Sequence, residues 1–219
     1  VVAATGAYRD DMIPTELREQ PREALTEWMV RELTVGVADT GIRTGFIKLA
    51  STDSGLTALE ERLLRAAARA SRQTGAVVAS HTIHGATALR QIAILEEEGA
   101  DPHRFIWVHA NHEPDPALHT QAAQRGAYLE YDAIGAPGQS DQHYIDLVRR
   151  AADGGHLRQV LLSQDAGWYD AGQPEAPIRG FGYLVQTFLP ALQGAGFAEA
   201  DVRTLIAENP QQAFAFSRA

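Results

Sequence analysis

The sequence predicts an α/β fold of parallel strands wound in repeated strand–helix units. Three observations predict it. Short apolar runs alternate with longer amphipathic stretches along all 219 residues. No linker long enough to separate two domains interrupts them, so one domain over residues 1–219 is expected. Polar residues gather at or near the C-terminal ends of the apolar runs: Tyr8, Lys48, His81, His109, Asp132 and Asp165.

The elements follow in order. "VVAATGAY" at 1–8 reads as the first strand. It has no initiator Met, which is expected of a fragment or of a chain whose beginning was removed. "TELREQPREALTEWMVRELTVGV" is helix-like and leads to "GFIKLAS" at 45–51, the second strand. "LTALEERLLRAAARASRQTG" is amphipathic and ends in a glycine suited to a helix C-cap. "AVVASH" at 76–81 is the third strand, and "GATALRQIAILEEEG" repeats the helix-then-glycine pattern. "FIWVHA" at 105–110, "AYLEYDAI" at 127–134 and "QVLLSQDA" at 159–166 are the remaining strands. "DPALHTQAAQRG" and "SDQHYIDLVRRAADGG" are the helices between them. "FGYLVQTFLPALQGAG" and "AEADVRTLIAENPQQAFAF" close the chain as helices.

Such units imply parallel strands with right-handed crossovers. No glycine-rich phosphate fingerprint follows any strand, which weakens an open dinucleotide-binding sheet. A (β/α) barrel brings all strand C-termini to one mouth, where catalytic groups gather. Six units are visible, so a barrel of eight would lack its first two. An unclosed edge favours association, a homodimer being the simplest form.

A net charge of −9 argues against nucleic acid or anionic lipid as partner. There is no cysteine, so disulfides and thiolate metal sites are excluded. Nothing resembles a signal peptide or the roughly 20-residue apolar run of a membrane span, and a soluble, cytoplasmic protein is expected.

His81, His109 and Asp165 end three separate strands, and two imidazoles with a carboxylate suit Zn²⁺, Mn²⁺ or Co²⁺. Lys48 stands inside an apolar run between Ile47 and Leu49. A buried ammonium is costly unless paired or neutralised. Either its head snorkels to solvent, or it reacts with CO₂ to give a carbamate, an anion able to bridge two metal ions.

"GFIKLA", "SHT" at 80–82, "WVHANHEPD" at 107–115 and "LLSQDAGWYD" at 161–170 resemble the phosphotriesterase family of the amidohydrolase superfamily. "VADTGIRTGFIK" and "ENPQQAF" are similar to it as well. The resemblance spans essentially the whole chain. It implies a (β/α)₈ TIM-type barrel with a binuclear metal site and a metal-bridging hydroxide that cleaves an ester, a lactone or a phosphotriester. It implies Lys48 as the carboxylated bridge, His81 and His109 on the more exposed metal, and Asp165 as ligand and proton acceptor. Tyr8 would hydrogen-bond the hydroxide or substrate, and Trp168 and Tyr169 would wall a substrate pocket. Two departures stand out. The family's His-x-His pair on its first strand has no counterpart before His81. The lactone-hydrolysing branch carries Asp-Arg-aromatic-Gly, where this chain has Asp132, Ala133, Ile134 and Gly135, which argues against a quorum-signal lactone. No basic cluster marks a phosphate monoester site, which favours a carboxylic ester or lactone.

The other histidines read more plainly. His84 crosses from strand to loop, and His112 suits a substrate loop. His103, His119, His143 and His156 sit in polar contexts and are expected to be solvated. The rival to a hydrolase is a barrel remnant without activity, or dependent on a partner, acting as a binding module.

Overall fold

The computed structural model describes residues 1–216. Six strands form one parallel sheet in the order β1-β2-β3-β4-β5-β6: Ala4–Thr5, Phe46–Ala50, Val78–His81, Phe105–Val108, Tyr128–Tyr131 and Val160–Leu162. Every neighbouring pair is parallel. The sheet does not close, leaving β1 and β6 at its edges. Nine α-helical segments lie among the described residues: α1 Thr15–Arg18, α2 Arg22–Thr34, α3 Ala58–Thr74, α4 Gly85–Glu97, α5 Pro116–Gln124, α6 Asp141–Asp153, α7 Leu189–Gly194, α8 Glu199–Arg203 and α9 Asn209–Phe214. No described helix is long and apolar enough to cross a membrane.

Period-two alternation divides the core into two layers. Ile47, Leu49, Val78, Phe105, Trp107, Leu129 and Val160 face the helices, against Leu63, Leu64, Ile92, Val148 and Phe188. Val77, Ala79, Ile106, Tyr128 and Leu161 face the other way, inward. The α9 residue Ala213 packs into this inner layer, and Phe214 meets Phe46 edge-on at 5.6 Å. Each fully buried Leu, Ile or Phe contributes about 1.5–3 kcal/mol. Asn209, from the "ENPQQAF" stretch, is fully buried and donates to the Leu157 and Val160 carbonyls at 2.8 and 2.7 Å. Its role there is to fasten α9 to the entry of β6.

Local chemistry sets the boundaries. Thr57 and Glu60 form a capping box at the start of α3, and Gly75 ends it at φ +76°. The first helical stretch is split into α1 and α2, with Pro21 at the break, because proline supplies no N–H to continue a ladder. The last two stretches contain π turns at Leu184–Phe188 and Thr204–Glu208, each ending two residues before a proline, Pro190 and Pro210. Each ring would clash with the carbonyl four residues back, and the wider turn relieves it. The expected strand at 1–8 shrinks to Ala4–Thr5 because Gly6, at φ +111°, turns the chain. A Cβ on Gly6 would lie 2.3 Å from the Lys48 carbonyl oxygen.

Candidate active site

Each strand end delivers one polar group. In β2, Lys48 alternates with Ile47 and Leu49 and so points inward, away from the helices. It lines a cavity of about 410 Å³ with Phe46, Ile106, Glu130, Ser163 and Asp165. Its Nζ donates to the Leu49 carbonyl at 2.9 Å and lies 5.0 Å from the Tyr8 ring. Burial pushes the ammonium down to about 8, against the opposing charges of Glu130, Asp165 and Asp132. Lys48 is therefore a half-buried residue on the lumen wall.

His81, the last residue of β3, meets His109 edge-on with ring centroids 4.4 Å apart. Its Nδ1 lies 2.9 Å from the Tyr8 hydroxyl. Burial, with the neighbouring His109 and Lys48, pushes His81 down to about 4, so the imidazole is neutral at physiological pH. For His109, burial acts downward, but the Asp132 carboxylate more than offsets it and raises the imidazole above its usual value. His109 Nδ1 and Asp132 Oδ2 are 2.6 Å apart, although no well-aligned hydrogen bond satisfies Oδ2. Asp132 is itself fixed: its backbone N–H donates to Asn111 Oδ1 at 3.1 Å.

His109, Ala133 and Asp165 adopt φ of 69°, 58° and 40°. All three stand one to three residues beyond the ends of β4, β5 and β6 and are non-glycine residues in the left-handed region. That conformation costs on the order of 1–3 kcal/mol each and persists where surrounding structure imposes it. For Asp165 the surroundings are visible. Its carbonyl accepts from Trp168 Nε1 at 3.0 Å and from Arg179 at 2.8 Å.

His109, His112 and Asp132 are the set of His and acidic residues, among those described, whose ligand atoms all lie within 4.8 Å of one another. A contact of 2.6 Å is too short for two separate ligands on one cation at about 2.0–2.2 Å from each. Asp132 better suits the role of holding His109 by Nδ1, which leaves Nε2 free as a donor. The donor chemistry fits a borderline divalent cation between His81 and His109. A second position would have Lys48 and Asp165 from this chain. Asp165 lines the lumen cavity but remains exposed, outside the histidine cluster.

Trp168 and Tyr169 are 73% and 63% exposed, so they wall no formed pocket in this conformation. His119 corrects the expectation of solvation. It is buried on α5 against Trp107 and Tyr131, and burial lowers its pKa. Two residues escaped sequence reasoning as participants: Asp132 as partner of His109, and Glu130. Glu130 lies on β5 and Asp132 directly after it, two apart, a spacing that signals a shared face but not the pairing with His109.

The family model described as "Phosphotriesterase family" matches residues 1–214. The phosphotriesterase homology protein of Escherichia coli is 33% identical over 216 residues, covering 98% of this chain and 74% of that protein. Its crystal structure, with phosphate in the active site, superposes with a TM-score of 0.88 at 31% identity and the same coverage. A lactonase from Listeria monocytogenes superposes with a TM-score of 0.87 at 27% identity, covering 99% of this chain and 73% of that one. The aryldialkylphosphatase of Saccharolobus solfataricus is 26% identical over 226 residues, 98% of this chain and 71% of that protein.

Proposed function

The chain belongs to the phosphotriesterase family, and we propose that it is a metal-dependent hydrolase cleaving an ester, lactone or phosphotriester bond of a small molecule. The observation that carries this reading is the facing pair His81 and His109, with Asp132 against His109 Nδ1 and Lys48 in the adjoining cavity. In it, residues 1–219 act as one barrel-type domain with two divalent cations, zinc foremost and manganese or cobalt as substitutes. Bound there, such cations would supply a Lewis acid and an activated water.

The chain's own groups then have distinct tasks. His81, neutral at working pH, offers a lone pair without first losing a proton. Asp132 keeps the His109 proton on Nδ1 and so presents Nε2. Lys48, as a carbamate, supplies anionic oxygens from the lumen wall. Asp165 takes the proton of the attacking water on its carboxylate. Tyr8, bound to His81, orients that ring and stands where substrate enters. Trp168 and Tyr169, exposed just after Asp165, are the aromatic groups that would meet an apolar substituent of the substrate.

Lys48→Ala tests this reading. The variant should lose most bound zinc and most activity, and short carboxylic acids should restore part of both. Undiminished metal content in Lys48→Ala would end it. A second reading, a binding module without turnover, draws on the sparse donor set at the second position. It predicts substrate-analogue binding that does not depend on added zinc.

A further inference from the structure

Glu130 has no task in the reading above, yet its setting is unusual. It points into the lumen from β5 and lines the same cavity as Lys48. Ser163 Oγ donates to its Oε1 at 2.6 Å and so fixes the carboxyl plane. The other oxygen, Oε2, is buried and has no hydrogen-bond partner. Buried polar atoms without partners are rare, and each calls for an explanation.

Carbamate chemistry provides one. The Lys48 ammonium loses a proton to solvent, and its nitrogen lone pair then adds to the carbon of CO₂. A C–N bond forms, one C=O pair moves onto oxygen, and a second proton leaves nitrogen. The product, R–NH–COO⁻, keeps a single N–H. In a lumen lined by Phe46, Ile106, Val108 and Leu161 that N–H needs an acceptor, either the Leu49 carbonyl, which Nζ meets at 2.9 Å before the reaction, or the partnerless Oε2 of Glu130.

We propose that Glu130, held by Ser163, is a positioning residue for Lys48 in its carbamate form, accepting through Oε2 the one N–H that the carbamate retains. The proposal rests on the carbamate reading of Lys48.

The test uses the full chain with Zn²⁺ and carbon-13 bicarbonate, read by carbon-13 NMR of the carbamate carbon. Wild type should give a signal that Lys48→Ala lacks. Glu130→Leu should raise the half-saturating bicarbonate about tenfold. Glu130→Gln keeps an acceptor and should stay within about threefold of wild type. Ser163→Ala, a milder change that covers a misfolded Leu variant, should fall between the two. A Lys48-dependent signal with unchanged half-saturation in Glu130→Leu and Ser163→Ala overturns the proposal alone, leaving the Leu49 carbonyl as acceptor. A signal that survives in Lys48→Ala, or none in wild type, overturns the carbamate reading and this proposal with it.

Discussion

Replacing Lys48 by Met isolates the cost of its ammonium. Met matches the length of the lysine stem and fills the same space without the charge. In metal-free, CO₂-free buffer the folded pKa of Lys48 is about 8, against 10.5 when unfolded. Between those values the unfolded chain holds a proton that the folded chain has released. Stability therefore rises with pH across that window, and below about 8 the folded state carries the whole penalty. At 1.36 kcal/mol per unit the full penalty is roughly 3 kcal/mol. Between about pH 6.5 and 9.5 wild type should recover about 2 kcal/mol of it, while Lys48→Met recovers none. Titrating groups remote from Lys48 are common to both proteins and cancel in the difference; His81 and Glu130, whose pKa values the Lys48 charge lowers, do not cancel fully. Urea unfolding at several pH values measures it. With a slope of about 2 kcal/mol per M, the gap between the two midpoints should narrow by close to 1 M as pH rises. A gap that stays constant over that range means that the ammonium reaches water and that burial is not what shifts it.

Three further outcomes follow from the same geometry. Asp132→Asn removes the carboxylate beside His109 and should weaken zinc binding about 10–100-fold by calorimetry; unchanged affinity would show that the His109 ring is held by its backbone alone. Because Asp132 raises the His109 pKa, zinc binding in wild type should release a proton and weaken as pH falls through that raised value, and Asp132→Asn should move this loss to lower pH. Gly6→Ala forces a Cβ towards the Lys48 carbonyl at a positive φ, and should lower stability by about 1–3 kcal/mol in thermal or urea melts; a neutral result would mean that β1 shifts without cost.

Much of this architecture was legible in the sequence. The strand runs around Lys48, His81, His109 and Asp165 carry the pattern of a sheet covered on both faces, and Gly75 marks a helix end that the structure keeps. What the pattern could not give was length. Apolar content extends past the point where Gly6 turns the chain. The π turns went unread, although Pro190 and Pro210 stand inside otherwise helical stretches. The partnership of Asp132 with His109 was not readable. It depends on two adjacent strands ending at the same height, and register is a property of the sheet. His119 misled for a similar reason. In sequence it stands between Leu118 and Thr120, and its neighbours in space are Trp107 and Tyr131.

The unequal pairing of the sheet grades its resistance to local opening. β1 is registered to β2 at two positions, whereas β2 and β3 are each registered to the next strand at four. Amide exchange should therefore be fastest along β1 and slowest through β2, β3 and β4. Lys48, His81 and His109 ride on or directly after those slow strands, while Tyr8 hangs beyond the fast one. An opening of β1 alone would free the His81 ring from its hydroxyl partner and leave the three backbones that carry Lys48, His81 and His109 in register. The chain thus separates a durable floor from a side gate that can open many times between global unfolding events.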